Sequence, residues 1–370
     1  MQPVRFPARL LRAVLCALPL FLSAIDAQPT YGKCTEKNIE VRKEWSTLTT
    51  PERTDYIKSV KCLMKKTALT PKEAAPGVLT RYDDFTALHI NNTIYIHTNG
   101  AFLTWHRHFL NLYQKALREE CGFKGTLPYW NWAWWSDDLA CNPIFDGSKT
   151  SMGGDGFHNE SAALAKFHNI TYPRANGGGC ISKGPFTNLT LPFHAFKTEE
   201  LFLQTTPSNA LISAPRCVTR DLNSAISGPH MNQAVIDGLL SAPTIKDFQE
   251  ILDKGLDKKS LGPHPAGHFA VGWGLQDQYA SPADPTFFLH HGMVDNAWEQ
   301  WQVKDLKNRR FALDGTNRTA NAQPSVPVTV DYVLDFGYLG ASHKMGDLMD
   351  TRAGVNCYRY EYEQGAPQPS

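Results

Sequence analysis

Apolar residues recur at three- and four-residue intervals in several stretches of the chain, which is the spacing of one face of an α-helix. The first such stretch follows Thr49, Pro51 and Glu52, which resemble a capping box with proline in the first turn. A short helix should place His264 and His268 on one face, because these residues are four apart. The longer periodic stretches predict helices at residues 50–66, around 85–89, at 102–119, at 242–256 and at 284–301.

The remaining stretches lack this helical period. The segment NNTIYI between His89 and His97 is interpreted as a strand-like or irregular connection. Residues 140–235 are rich in Gly, Asn, Ser and Pro, which predicts long loops with little regular structure that form a functional rim. The tail at 328–362 alternates apolar and polar residues in places, so we expect strands or extended cover. No internal repeat or low-complexity linker divides the chain, and one mostly helical domain is the simplest expectation.

Tryptophans are concentrated in the segment PYWNWAWW at residues 128–135. Large aromatic side chains remove much apolar surface from water when they are buried. We therefore interpret this segment as a plug that packs against the helices. Direct contact with a substrate is the alternative interpretation.

Residues 1–27 have the organisation of a secretory leader. Arg5, Arg9 and Arg12 give a basic start, an apolar run covers residues 14–24, and a cleavage site precedes Gln28. A membrane anchor is the alternative, but the apolar run is shorter than the roughly 20 residues that cross a bilayer. The prediction is export, with a mature domain at residues 28–370.

The net charge limits the classes of binding partner, and the cysteines and glycosylation sequons indicate the compartment in which the protein folds. The formal net charge of +1 indicates no polyanionic partner, so nucleic acid is excluded, and no later stretch approaches transmembrane length. Cys16 is removed with the leader. The remaining cysteines are odd in number, and their spacings match no zinc-binding motif. We expect disulfides and at least one unpaired thiol. N-glycans are expected at the Asn-X-Ser/Thr sequons Asn91, Asn159, Asn169, Asn188 and Asn317.

Two sets of three histidines are the strongest indication of chemistry in the chain. They are His89, His97 and His106, and His264, His268 and one of the adjacent pair His290–His291. Neutral imidazole suits copper, zinc, iron and nickel, and the ligand positions contain no carboxylate or thiolate. This absence argues against a di-iron carboxylate or zinc–thiolate centre. We predict two copper ions that act together on one dioxygen molecule.

The spacing of these histidines favours a helix bundle. His264 and His268 share a helix face, whereas the other ligands come from separate segments, so both sets converge most simply inside an antiparallel bundle. Between the adjacent histidines we choose His291, with His290 as the alternative. Asp295 lies one helical turn after His291, where its carboxylate could accept the second ring proton of a ligand.

These segments resemble the tyrosinase and catechol oxidase family of type-3 copper proteins, and most closely its short, secreted fungal members. The resemblance spans residues 34–360 and rests on the motifs EWSTLTTPERTDYIKSVKCL, WHRHF, PYWNW, HPAGH, SPADPTFFLHH and CYRY. It implies a mainly α fold, a four-helix bundle around a dinuclear copper site with long loops and a few short strands. It also implies a first triplet of copper ligands, His89, His97 and His106, and a second triplet, His264, His268 and His291.

The activity implied by this resemblance is oxidation of catechols to ortho-quinones with dioxygen. ortho-Methoxyphenols and other substituted phenols are further candidate substrates. A true tyrosinase with strong monophenolase activity is one alternative. A haemocyanin-like dioxygen carrier and a structural or pigment-binding glycoprotein are alternatives from other classes, which a catechol turnover assay and metal analysis distinguish. A monomer is expected. The C-terminal lid domain of long family members is not expected, because the chain stops shortly after CYRY.

Several residues depart from the family pattern. Tyr95 replaces a cysteine that many members cross-link to the second ligand, so a thioether bridge is impossible. Pro265 replaces an asparagine thought to help position a water that deprotonates monophenols, which weakens the prediction of monophenolase activity. Phe269 is expected to wall the entrance, and Gly292 with Met293 to open room above the second copper.

Polar residues near the second triplet provide further candidates. Glu250 and Asp253 are the nearest acidic candidates for holding a water or accepting a proton, although surface acids on a helix are the favoured interpretation. Asn131 replaces an aspartate of the family motif, and a structural change is expected there. No catalytic role beyond the six ligands is assigned, and Pro265, Phe269, Gly292 and Asp253 remain the candidates for wall or proton-handling residues.

Overall fold

The computed structural model describes residues 33–167, 170–196 and 205–362. The expected leader at residues 1–27, Cys16 and the sequon at Asn169 lie outside these ranges. No helix in the described part of the chain is long and apolar enough to span a membrane.

Helices dominate the described ranges, and the strands are short. The α-helices are α1 (Thr50–Leu63), α2 (Arg81–Ile96), α3 (Phe102–Cys121), α4 (Ser224–Met231), α5 (Gln233–Leu240), α6 (Ile245–Lys254), α7 (Pro263–Val271), α8 (Trp273–Gln276), α9 (Thr286–Val303), α10 (Leu306–Arg309) and α11 (Met345–Leu348). The strands are β1 (Glu40–Arg42), β2 (Gly156–His158), β3 (Lys166–Phe167), β4 (Ile170–Thr171), β5 (Gly178–Ile181), β6 (Thr190–Phe193), β7 (Ser213–Cys217), β8 (Val333–Leu334), β9 (His343–Lys344) and β10 (Tyr358–Tyr360).

Two helices begin where the sequence provides a reciprocal cap. At α1 the Thr49 side chain accepts a hydrogen bond from the Glu52 backbone N–H, and the Glu52 carboxylate accepts one from the Thr49 backbone N–H. Thr80 and Asp83 form the same arrangement at α2. These bonds satisfy amide groups that the first helical turn leaves without a partner. The helix start predicted from Thr49 and Glu52 is confirmed.

Helix α2 continues through the segment that the sequence was expected to leave irregular. NNTIYI is helical to Ile96, so the expectation of a strand-like connection between His89 and His97 is wrong. Ile90 and Ile94 are buried on the inner face of the helix. This burial outweighs the weak β-propensity of the segment. The helix gives way at His97, whose backbone is extended with φ −123° and ψ 142°.

The histidines lie on or directly beyond α2, α3, α7 and α9, and aromatic rings fill the space between α2, α3 and α9. Tyr113 of α3 stacks on Phe288 of α9 with ring centroids 3.5 Å apart. Phe85 of α2 makes edge contacts with Phe109 at 5.6 Å and with Tyr113 at 5.3 Å. Helix α7 packs against α6 and α9. The predicted mainly helical fold is confirmed.

The segments near the two ends of the described chain meet in a parallel strand pair. β1 pairs with β10, with Glu40 opposite Tyr358. The disulfide Cys34–Cys357 joins the same two segments. Together with the β8–β9 pair, this arrangement agrees with the strands expected in the tail.

The described cysteines form disulfides and leave one thiol unpaired, as their odd number requires. Further disulfides join Cys62 to Cys121 and Cys180 to Cys217. Among the described cysteines Cys141 is the free one, and it is exposed. The expectation of disulfides with one unpaired thiol is confirmed for the described residues.

Residues 140–235 contain more regular structure than expected. The strand pairs β2–β5, β3–β4 and β6–β7 lie here, together with α4. Each strand has two to five residues, too few to leave a readable alternation in the sequence. Loops make up most of the described residues of this region, as expected, but the composition did not indicate these short strand pairs and α4.

The tryptophan-rich segment packs in the interior, as the plug interpretation requires. Trp130 and Trp132 are fully buried and Trp134 is 5% exposed. None of these tryptophans lines the cavity that lies beside His264 and His268 in the described part of the chain, so the structure favours the plug interpretation over substrate contact.

Candidate metal centre

The histidines of the first triplet come together at the end of α2 and the start of α3. His89 lies within α2, His97 directly follows it, and His106 lies in the second turn of α3. One nitrogen of each ring lies within 4.8 Å of a nitrogen of the others. All three rings are buried. The structure therefore brings the first predicted set together.

The second group contains four histidines, because both members of the adjacent pair reach it. His264 and His268 lie on α7, and His290 and His291 on α9. One nitrogen of each ring lies within 4.8 Å of the others. The geometry of the hydrogen bonds distinguishes His290 from His291.

His290 has both ring nitrogens engaged in hydrogen bonds. Trp132 donates its indole N–H to His290 Nδ1 at 3.0 Å, and His290 Nε2 donates to the His264 carbonyl at 3.0 Å. His291 Nε2 instead lies 3.2 Å from His268 Nε2. Two nitrogens at about 2.0 Å from one tetrahedral ion stand roughly 3.3 Å apart. The geometry therefore favours His291 over His290 as a metal ligand.

The choice of His291 over His290 does not rest on Asp295, although the sequence suggested that Asp295 accepts a ring proton of a ligand. Its carboxylate accepts hydrogen bonds from Arg107, Arg42, Tyr358 and Tyr360. The described hydrogen bonds include none from a histidine ring to Asp295. The prediction that it accepts a ring proton of a ligand is wrong, because residues from α3, β1 and β10 already occupy both carboxylate oxygens.

Hydrogen bonds at Nδ1 fix the orientation of most of these rings. His97 and His106 donate to the carbonyls of Thr93 and Phe102, both at 2.9 Å. His89 donates to the Tyr279 carbonyl at 2.8 Å.

His264 and His268 of the second triplet also donate from Nδ1, one to a carboxylate and the other to a backbone carbonyl. His268 donates to the Leu275 carbonyl at 2.7 Å, and His264 donates to Asp253 Oδ1 at 2.9 Å. An Nδ1–H tautomer leaves the lone pair on Nε2, which is the arrangement of a metal-binding histidine.

The Nε2 atoms of His89, His106 and His264 are buried and have no hydrogen-bond partner among the described residues. Burying a polar atom without a partner costs free energy, so each such atom needs an explanation. A metal ion bound by each triplet provides it. The donor set, six neutral imidazoles, fits a pair of copper ions.

Burial also favours the neutral form of five of the six rings. It is the main cause that lowers the pKa of His89, His106, His268 and His291 well below the ordinary value, with neighbouring imidazoles adding to the effect. Burial likewise lowers the pKa of His97 to about 4. Neutral rings have a lone pair available for a metal near neutral pH.

The two triplets face each other across a narrow gap. The rings of His106 and His291 are stacked with centroids 4.5 Å apart. Phe287 stacks on His291 at 4.0 Å and makes an edge contact with His89 at 5.3 Å. Sequence reasoning missed Phe287, although its position four residues before His291 places both on one helix face.

A cavity of about 350 Å³ opens beside the second triplet. Pro265 and Phe269 line it, as expected for wall residues, together with Phe167, Ser281 and Asp253. Phe269 is buried and meets Phe167 edge to face at 5.9 Å. The cavity gives a small aromatic molecule access to the histidines.

Gly292 does not open space above the second triplet, so that expectation is wrong. A Cβ atom on Gly292 would lie 3.1 Å from Tyr129 Cβ and 3.2 Å from the Pro128 carbonyl oxygen. The absent side chain therefore allows α9 to approach the segment 128–129 closely. Met293 is buried in the core.

The acidic candidates separate clearly. Glu250 pairs with Lys258 at 2.8 Å, which makes it a surface acid, as the favoured interpretation has it. Asp253 instead contacts His264 and lines the cavity.

Two other residues that depart from the family pattern lie outside the cavity lining. Tyr95, which stands where many members have a cysteine, is 40% exposed. Asn131 accepts a hydrogen bond from the Ala133 backbone N–H at 3.1 Å, a structural role in the turn.

The comparisons with known proteins agree with this geometry. Residues 79–304 match the family model described as the common central domain of tyrosinase. Tyrosinase P of Aspergillus terreus is 41% identical over 351 residues, which cover 92% of this chain and 98% of that protein. The N-acetyl-6-hydroxytryptophan oxidase of Emericella nidulans is 40% identical over 345 residues, covering 89% and 94%.

A solved structure shows the same fold. A polyphenol oxidase variant from Thermothelomyces thermophila matches with a TM-score of 0.82 and 32% identity, over 89% of this chain and 91% of that one. The family match covers more than half of the chain, and it includes every histidine of the two triplets. The chain therefore belongs to the tyrosinase family of copper oxidoreductases.

Proposed function

We propose that the chain is a secreted copper polyphenol oxidase that oxidises ortho-diphenols to ortho-quinones with dioxygen and hydroxylates monophenols weakly. ortho-Methoxyphenols and other substituted phenols are further candidate substrates. The observation that carries the proposal is the pair of buried histidine triplets that face each other beside an open cavity. The relatives named tyrosinase and N-acetyl-6-hydroxytryptophan oxidase are consistent with oxidation of a hydroxylated aromatic ring.

The two triplets are the proposed ligands of two copper ions. The first ion takes His89, His97 and His106, and the second takes His264, His268 and His291. When bound, the two ions supply two-electron redox chemistry and Lewis acidity toward a phenol oxygen. The backbone carbonyls on Nδ1 hold the rings of four of these ligands, so that little reorganisation is needed when the ions bind.

The residues of the cavity bind and orient the substrate. The apolar faces of Pro265 and Phe269 suit an aromatic ring and keep water from it. Ser281 lines the same cavity, and its buried hydroxyl has no hydrogen-bond partner among the described residues. It can therefore bind a polar substituent of the substrate.

The stoichiometry of the reaction is fixed by the substrate. Each catechol releases two electrons and two protons when it becomes a quinone. Two catechols therefore reduce one dioxygen molecule to two waters.

The size of the cavity is compatible with substituted phenols. The cavity of about 350 Å³ lies within the roughly 300–1,000 Å³ range of small-molecule sites, so substituted rings fit.

The side chain at position 265 supports diphenol oxidation over monophenol hydroxylation. Pro265 has no amide or hydroxyl with which to hold a water near the substrate. Deprotonation of a monophenol in the cavity therefore lacks this source of help. Strong monophenolase activity is the alternative that this observation disfavours.

We also propose export, glycosylation and a monomeric state without a nucleic-acid or membrane partner. The disulfides support an oxidising compartment. The sequons at Asn91, Asn159 and Asn188 have exposed asparagines, and Asn317 is partly buried. The expected leader at residues 1–27 agrees with this route.

One activity panel tests the proposal. Copper-loaded protein is given a catechol, the corresponding monophenol and the ortho-methoxy counterpart, while oxygen uptake, quinone absorbance and copper per chain are measured. We expect about two coppers per chain, rapid oxidation of the catechol and slow reaction of the monophenol. Reversible oxygen uptake without quinone would show a carrier, and fewer than about two coppers would show a structural role.

A further inference from the structure

His264 is held differently from the other described histidines of the two triplets. His97 and His106 donate from Nδ1 to a carbonyl four residues earlier in the chain. His89 and His268 donate to backbone carbonyls of the segment 275–279. His264 alone donates to a carboxylate, Oδ1 of Asp253, at 2.9 Å.

The position of His264 in its helix explains this difference. It is the second residue of α7, after the N-cap Gly262 and Pro263. A residue at this position has no preceding helical turn to present a carbonyl to its ring. Asp253, in the last turn of α6, supplies the acceptor instead.

Gly262 fixes the approach of the two helices. A Cβ atom on Gly262 would lie 2.2 Å from the Leu252 carbonyl oxygen and 2.5 Å from that of Ile251. The backbone N–H of Gly262 also donates to the Asp253 carbonyl at 3.1 Å. Only glycine permits this contact, so the start of α7 rests directly on the segment that carries the carboxylate.

We propose that Asp253 is a positioning residue that sets the copper affinity of the second triplet, an inference that rests on the proposed function. Its carboxylate holds His264 with the lone pair on Nε2 and increases the basicity of that nitrogen. It also places a negative charge in direct hydrogen-bond contact with a ligand of the second ion, whereas the Nδ1 partners of the first triplet are all backbone carbonyls. The Asp253 side chain is 18% exposed, so water screens this charge only in part.

Asp253→Asn tests this role, because the substitution keeps the shape of the side chain and removes its charge. We expect the second triplet to bind copper about 10–100-fold more weakly, while the first triplet keeps its affinity. Copper per chain is measured after dialysis against increasing chelator. EPR provides the spectroscopic readout, because a half-filled centre gives the signal of an isolated Cu(II) ion. Asp253→Glu should recover part of the affinity.

Glu250→Gln is the matched control. It removes a carboxylate from the same helix, where Glu250 pairs with Lys258 at the surface, and should leave copper retention unchanged. Circular dichroism confirms the fold of each variant. If folded Asp253→Asn keeps both ions at the wild-type chelator concentration, or loses both together, the inference is overturned and the proposed function stands. Failure of the wild-type protein to bind two ions would instead overturn the proposed function, and the inference with it.

Discussion

Arg107 donates from Nε to Oδ1 of Asp295 at 2.6 Å, and both side chains are buried. Arg107 directly follows His106 on α3, and Asp295 lies one turn after His291 on α9. The ion pair therefore joins the two helices that bring a histidine of each triplet into contact. The stability of the fold and the geometry of the centre depend on the same pair.

Removing the charge of Asp295 should strongly destabilise the protein. Its other oxygen accepts from Tyr358 at 2.6 Å, from Tyr360 at 2.7 Å and from Arg42 at 3.3 Å. Asp295→Asn removes the ion pair of the buried guanidinium group of Arg107 and leaves that of Arg42 without its carboxylate partner, which costs about 3–5 kcal/mol. Urea unfolding followed by tryptophan fluorescence measures the loss.

An exposed ion pair provides the control for this experiment. Asp247 pairs with Lys258 at 3.0 Å, with side chains 30% and 44% exposed. Asp247→Asn should leave the free energy of unfolding close to that of the wild type, because water already screens the pair. Equal losses for the two variants would contradict the structural role assigned to Asp295.

Asp295 also shows what the sequence could and could not predict. The helical period placed it correctly on one helix with His291, because residues four apart share a face. Its partners come from α3, β1 and β10, which are distant in sequence, and no local pattern indicates which of them reaches the carboxylate. The same limit explains Gly292, whose missing side chain accommodates the backbone of Tyr129 rather than a substrate.

The histidine triplets could be found from residue type and spacing alone, because metal chemistry restricts both. Their supporting contacts could not. Sequence spacing does not distinguish Asp253 from Glu250, because both lie on the same helix, α6. The close approach at Gly262 decides between them, and that contact exists only in the folded chain.

Loss of one ligand from either triplet should remove copper from that half and abolish catechol oxidation. His106→Ala and His264→Ala test the two halves, because oxidation with dioxygen requires both ions. Copper per chain and catechol turnover are measured together. His108→Ala is the control, since His108 is also buried but belongs to neither triplet. Full catechol oxidation by either ligand variant would show that the ligand assignment is wrong.

The adjacent histidines should behave oppositely when each is replaced by glutamine. His291→Gln should lose one copper and catechol oxidation. His290→Gln should keep two coppers and lose about 1–2 kcal/mol of stability, because it loses the hydrogen bonds with Trp132 and the His264 carbonyl. Both side chains are buried, so the two variants are matched for burial. Retention of copper by the His291 variant alone would reverse the assignment.

Glu299 should make the stability of the fold depend on pH. Its side chain is 1% exposed. Burial raises its pKa to about 7 from the ordinary 4.5, although Arg107 and Arg352 oppose the rise. Between these values the folded chain holds a proton that the unfolded chain has released. The contribution of Glu299 is therefore complete below pH 4.5 and is lost as pH rises through about 7.

Glu299→Gln removes this titration and isolates its effect. From pH 5 to pH 8 the stability of the variant relative to wild type should increase by roughly 2.5 kcal/mol, because most of the interval between the two pKa values lies in this range. Urea unfolding at several pH values measures this change. Glu119→Gln removes an exposed carboxylate and should track the wild type at every pH. A constant difference between Glu299→Gln and wild type would refute the buried titration.

Pro265→Asn should raise activity on a monophenol relative to its catechol. Pro265 lines the cavity in the first turn of α7, next to His264, so the new amide would lie near the substrate. An amide can both donate and accept hydrogen bonds, and can therefore hold a water that takes the phenol proton. The ratio of the two kcat/KM values measures the effect.

The control must separate the added amide from the lost proline ring. Pro265→Ala removes the ring without adding a polar group, and its ratio should stay at the wild-type value. Both variants gain a backbone N–H in the first helical turn, where such groups have no intrahelical acceptor, so α7 should tolerate them equally. Copper retention and thermal unfolding establish that the centre is intact in each variant. An unchanged ratio in a folded, copper-loaded Pro265→Asn protein would remove the water-positioning argument, and Pro265 would then act only as a wall.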